Sequence, residues 1–139
     1  MKKSFLLFLS IVMLSCNNNG ADKTGAAEND LDAARMFIRA ALDGRYNDAR
    51  NLMLPDSTND NRMDVTERTY AHMSRLDQRN YKDANINIHD TRVVNDSTTI
   101  VIYSNSFRNK TDSVKVVRRG GKWLVDFKYT FEGTLNHGQ

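Results

Sequence analysis

The sequence predicts an α+β fold, on two observations. Apolar residues recur at helical spacing from Leu31 to Leu76, and from Lys82 onward the period changes to two. Turn signals, "NDS", "NK" and "GG", divide the second half into consecutive strands. Helices followed by a strand meander place three N-terminal helices against a four-stranded antiparallel sheet.

The first helix fits "DLDAARMFIRAALDG", where Leu31, Ala34, Ile38, Ala41 and Leu42 share a face with Phe37 beside them. Asp30 is placed to cap its start and Gly44 its end. A short second helix fits "YNDARNLML", with Tyr46, Ala49, Leu52 and Met53 inward, stopped by Pro55 and "DSTND". The third fits "DNRMDVTERTYAHMSRLDQ", with Met63, Tyr70, Met73 and Leu76 on its inner face. The strands are expected at about 83–94, 98–108, 112–119 and 122–131. The folded unit is therefore expected over 30–131, with a tail at 132–139. Residues 17–29, "NNNGADKTGAAEN", carry almost nothing to bury and complete a flexible tether at 16–29.

The N-terminus has chemistry of its own. Lys2 and Lys3 precede an apolar run from Phe5 to Leu14, which ends in Ser15 and the chain's single cysteine, Cys16. That run is shorter than the roughly 20 residues a spanning helix needs. It has the parts of a secretory signal peptide over 1–15. "MLSC" resembles the lipobox of bacterial lipoproteins, with Met13 where that pattern usually has Leu. The resemblance implies cleavage before Cys16, lipidation of Cys16, and an exported protein anchored by lipid to a membrane of the bacterial cell envelope.

Composition narrows the rest. One cysteine excludes an intramolecular disulfide and a zinc–thiolate site. The net charge of +3 includes Lys2 and Lys3, which would leave with the leader, so a nucleic-acid partner is not expected. His72, His89 and His137 have no metal-ligand spacing. No cofactor motif is present.

"AARMFIRAALDGRYNDAR" and "RRGGKWLVDF" are similar to the first helices and the closing hairpin of nuclear transport factor 2-like domains. The nearest likeness is to small bacterial lipoproteins with a lumazine-binding-like domain of unknown function. The resemblance implies a curved sheet wrapped around a long helix as an open cone. Family members include isomerases, dehydratases, and binders of small molecules, peptides or proteins.

Register gives candidate site residues. A two-residue turn at Gly120-Gly121 pairs Val116 with Val125, Val114 with Phe127, Arg118 with Trp123 and Lys115 with Asp126. Asp126 then reads as one half of an ion pair. Trp123 is expected buried on the apolar face. Two-residue turns at Asn109-Lys110 and Asp96-Ser97 carry the register back, so that Tyr103 faces Val116 and Asp90, and Asn105 faces Val114 and Ile88. Asp90, Tyr103 and Asn105 would then project into the cone, with Phe37, Tyr70 and Phe127 completing a ligand-binding wall.

Three functions compete. One is a lipid-anchored module holding a small apolar or amphipathic ligand. Another is an envelope protein whose filled cone docks a protein partner. The third is an isomerase- or dehydratase-like enzyme with Asp90 as base and Tyr103 as donor to a developing oxyanion. Binding or interaction ranks above catalysis. The anchor is testable: Cys16→Ala should abolish incorporation of labelled fatty acid into the protein. Equal labelling of variant and wild type would refute it.

Overall fold

The computed structural model describes residues 25–132. The expected leader, Cys16, most of the tether and nearly all of the tail lie outside the described residues.

Helix α1, Asp30–Leu42, forms where the helical period is strongest. Its cap is Asn29 rather than Asp30: the Asn29 side chain accepts the Asp32 N–H at 2.8 Å. Asp30 instead accepts the Thr99 hydroxyl at 2.6 Å, tying the start of the helix to the sheet. Ala33, Ala34, Phe37, Ile38 and Ala40 are buried. The helix stops at Gly44, whose φ of +73° is the left-handed conformation that favours glycine. A Cβ there would lie 2.8 Å from the Tyr70 ring, so the helix end and the ring share space only a glycine leaves.

Helix α2, Tyr46–Asn51, is shorter than its apolar pattern implied. Leu52, Met53 and Leu54 leave the helix and run beside the last strand as a parallel bridge. Leu54 N–H donates to Val125 O at 2.9 Å, and Val125 N–H to Leu52 O at 2.8 Å.

The expected third helix is two helices. Helix α3, Ser57–Ala71, starts inside "DSTND", because Asp56 caps it by accepting the Asn59 N–H at 2.9 Å. Helix α4, Arg75–Asp83, restarts after Ser74, whose hydroxyl accepts the Asp77 N–H at 3.0 Å. Ser and Asp accept these orphan N–H groups, which is why both residues begin helices here. With the short α5, Tyr129–Glu132, the described residues hold five helices rather than three.

Strands β1 (Ile86–Asn95), β2 (Thr98–Asn105), β3 (Asp112–Arg119) and β4 (Lys122–Asp126) form one antiparallel sheet in chain order. The Gly-Gly turn sets the β3–β4 pairing expected from it: Val116 opposite Val125, Lys115 opposite Asp126 and Arg118 opposite Trp123. Gly120 and Gly121 both have positive φ, as a tight hairpin turn of this kind requires. Val114 does not meet Phe127 in the ladder, because β4 ends at Asp126 and the chain turns into α5. Between β2 and β3 the loop runs from Ser106 to Thr111. Tyr103 therefore sits opposite Asp112, and Val114 opposite Val101.

α1 lies across the sheet, and Phe37, Val101, Val114, Val116 and Val125 meet between them with Met63 from α3, each 0–2% exposed. The Phe37 and Phe127 ring centroids are 5.2 Å apart, and Phe131 follows at 5.0 Å from Phe127. Trp123 is only half-buried, with the Arg118 guanidinium 5.7 Å from its ring centroid. Gly44→Ala should destabilise the protein by about 1–2 kcal/mol for the left-handed backbone, and by more where the Tyr70 ring must move. Urea unfolding measures this; an unchanged midpoint would rule out a strained helix end.

Candidate functional site

The residues expected to line an interior pocket do not come together. In β1 a bulge falls between Ile88 and Asp90, so Ile88 pairs with Tyr103 but Asp90 pairs with Ile102. One extra residue moves the side chains that follow it to the other face, here as far as the second irregularity between Val93 and Asn95. Asp90 is exposed, as is every β1 residue from His89 to Asn95, and its carboxylate meets Arg92 at 3.3 Å. This corrects the expectation that Asp90 points inward beside Tyr103, and it removes the acid–base pair the enzyme reading needed.

Tyr103 does face the helices and packs against the core. Burial, and then the nearby Asp112 carboxylate, push its hydroxyl well above the usual tyrosine range. Asn105 is half-buried, but its Oδ1 accepts the Arg108 N–H at 2.9 Å and holds the β2–β3 turn. Phe37 and Phe127 fill the space between helix and sheet. Tyr70 packs edge-on against Tyr46, with centroids 5.6 Å apart. Of the six, Tyr70 alone borders either of the two clefts described next.

The first cleft lies outside this core, between α1, α2 and β4, with a volume of about 460 Å³. Met36, Ala40, Leu52, Leu124 and Trp123 give it an apolar floor, and Gly25–Ala27 form one wall. Arg39, Arg45, Asp48, Asn51 and Lys122 make the polar rim. Arg45 bridges Asp48 at 2.6 Å and Asp43 at 3.2 Å, so its charge is already answered. Arg39 contacts Asp43 and the carbonyls of Lys82 and Ala84. Lys122 makes no ion pair or side-chain hydrogen bond among the described residues. The chain's single tryptophan is thus part of the floor of this cleft, beside an ammonium that has no partner among the described residues. Sequence analysis expected Trp123 buried on the apolar face; it packs against the core but stays half-buried. The pattern that marks the cleft is the Gly-Gly-Lys-Trp turn, whose Lys122 and Trp123 both border it.

The second cleft, about 500 Å³ and more open, is bordered by Asp43, Tyr70, Arg75, Gln78, Arg79 and Lys82.

A third group of polar side chains is satisfied internally. Asp126 is 4% exposed, and its carboxylate accepts from Lys115 at 2.9 Å, from Lys128 at 2.5 Å and from the Asn59 amide at 3.2 Å. Asn59, fully buried, also donates to Asp56 at 2.9 Å and to Leu54 O at 3.3 Å, and accepts the Lys128 N–H at 2.7 Å. Burial raises the pKa of Asp126, but the hydrogen bonds from Lys128, Lys115 and Asn59 outweigh it and hold the carboxyl below its usual range. Asp56 is held low by the Asn59 N–H and then Lys128. The Lys115–Asp126 pair is the one the register predicted. Asn59 was missed, because nothing near it in sequence points to a strand end 67 residues on.

Among the described residues no group of three or more His, Cys, Asp or Glu could hold a metal ion, and no helix is long and apolar enough to cross a membrane. Comparison with protein-family models, with curated proteins and with solved structures returned no match.

Two folded-state carboxyl pKa values below their unfolded values fix a sign. The stability they contribute is present above about pH 4 and is lost as pH falls through the depressed values. The urea midpoint should therefore fall on acidification in wild type and fall less in Lys128→Gln. Parallel pH dependences in the two proteins would show that this cluster does not govern the acid limb.

Proposed function

We propose that this chain is a lipid-anchored binding module of the bacterial cell envelope, built on a nuclear transport factor 2-like cone. Its ligand site is the cleft between α1, α2 and β4, and its ligand is a small amphipathic molecule with an anionic end. One observation carries this: an apolar floor from Met36, Leu52, Leu124 and Trp123 lies beside the Lys122 ammonium, which is unpaired among the described residues. Small-molecule sites combine mostly apolar lining with a few placed polar groups, at volumes of roughly 300–1,000 Å³. An alkyl chain would cover the floor, and a carboxylate or phosphate would meet Lys122. The lipobox-like "MLSC" supports the anchor, and the helix-then-meander order supports the cone.

The dense packing of Phe37, Met63 and Phe127 favours a second reading, docking of an envelope protein partner. A filled interior leaves only the surface for recognition.

Trp123 reports on the choice. In residues 16–139 made without lipid (Cys16→Ala), dodecanoate should quench or blue-shift Trp123 fluorescence with saturation. Lys122→Gln should weaken binding about tenfold, the loss of one charge-assisted contact, and Leu52→Asp should abolish it. Non-saturating changes, or identical titrations of wild type and Leu52→Asp, would overturn the ligand reading and leave partner docking.

A further inference from the structure

We propose that the basic stripe of α4 along the mouth of the second cleft is a docking surface for anionic lipid headgroups, a proposal that rests on the reading of the chain as lipid-anchored. Arg75, Arg79 and Lys82 stand at positions i, i+4 and i+7 of this helix, which puts all three on one stripe. All three are exposed, and none makes an ion pair or side-chain hydrogen bond among the described residues. Like charges at this spacing destabilise a helix, and α4 buries none of its residues. The acids nearby do not relieve them. Asp43, in the same cleft, is occupied by Arg39 and Arg45. Asp77 and Asp83, on α4 itself, form no ion pair with the stripe. Leu76, 59% exposed, flanks Arg75 as an apolar residue facing solvent.

The position of the helix selects the partner. Arg39 donates to the carbonyls of Lys82 and Ala84 at the end of α4. The same Arg39 borders the cleft walled by Gly25–Ala27, the first described residues. The chain therefore arrives at the fold beside the end of the basic helix. From Cys16 to Gly25 the chain can span at most about 30 Å. A lipid on Cys16 would hold this side of the domain within that distance of a bilayer. Each Lys or Arg near an anionic surface gains roughly fivefold in binding, so three give on the order of a hundredfold. That is small for a free protein, but tethering makes the encounter intramolecular, where such a gain decides orientation. The three cations spread along about 10 Å of helix. This suits a row of headgroups better than one enclosed phosphate.

The test uses the full chain reconstituted with vesicles of neutral phosphatidylcholine, or of the same lipid with 30% phosphatidylglycerol. Flotation with neutral vesicles reads the anchor alone. Hydrogen exchange of α4 amides reads the docking: protection should appear only on anionic vesicles and vanish at 0.5 M salt. It should also be lost in Arg75→Gln/Arg79→Gln/Lys82→Gln, with the thermal unfolding midpoint no lower than wild type. Equal protection on both vesicles, or no protection on either, overturns the proposal. So does protection by millimolar inorganic phosphate in detergent, which would make the stripe a small-anion site. Failure to float on neutral vesicles, with α4 still protected on anionic ones, refutes the anchor and leaves the docking surface standing.

Discussion

A buried carboxylate organises one end of this molecule. Asp126 closes β4, and its charge is tolerable only because Lys115 reaches it from β3, Lys128 from the turn and Asn59 from α3. Removing one partner of a buried ion pair typically costs about 3–5 kcal/mol, so these elements must be in place together. Asn59 does most of the joining. Its amide contacts the cap of its own helix, the Leu54 carbonyl beside β4 and the Asp126 carboxylate, while its oxygen receives the Lys128 N–H. No buried side-chain N or O is left without a partner among the described residues. Polar networks satisfied to this degree specify one arrangement of their elements.

The cluster also accounts for the abrupt end of the sheet. The alternation of apolar residues continues past Asp126 through Phe127, and on pattern alone the strand would run on. Once Lys128 has turned to meet Asp126 and Asp56, the ladder cannot continue. Phe127 and Phe131 are then free to stack toward Phe37.

How far the sequence could be read varied with the locality of the signal. The Gly-Gly turn fixes its hairpin within a few residues, and every β3–β4 pair in the ladder follows from it. The β2–β3 loop is longer than two residues and slides the pairing by four positions, from Val116 to Asp112 opposite Tyr103. Four is even, so Tyr103 kept its face. The bulge before Asp90 is a single residue and reversed the face of the residues up to the second irregularity, between Val93 and Asn95. No local pattern announces such a bulge. The helices failed differently: a continuous apolar period across Met63, Tyr70 and Met73 concealed the break before Ser74. For the cleft, Trp123 was legible as a residue of consequence. Its place in the cleft depends on Leu52–Leu54 lying beside β4, which is a tertiary fact.

That bridge has a consequence for crowding. A sheet has two outer strands, each with backbone groups open to pairing with another chain. Here the β4 side is sealed by Leu52–Leu54, while the β1 side is not covered by another strand. β1 carries two irregularities along its length, and an Asp90–Arg92 pair lies between them. Bulges and charges on an outer strand disfavour addition of a foreign strand. Val93 and Val94, 73% and 58% exposed, sit on that same strand, so straightening it would create a sticky edge. The irregularity that displaced Asp90 from the interior therefore guards against aggregation where neighbouring copies share a small volume.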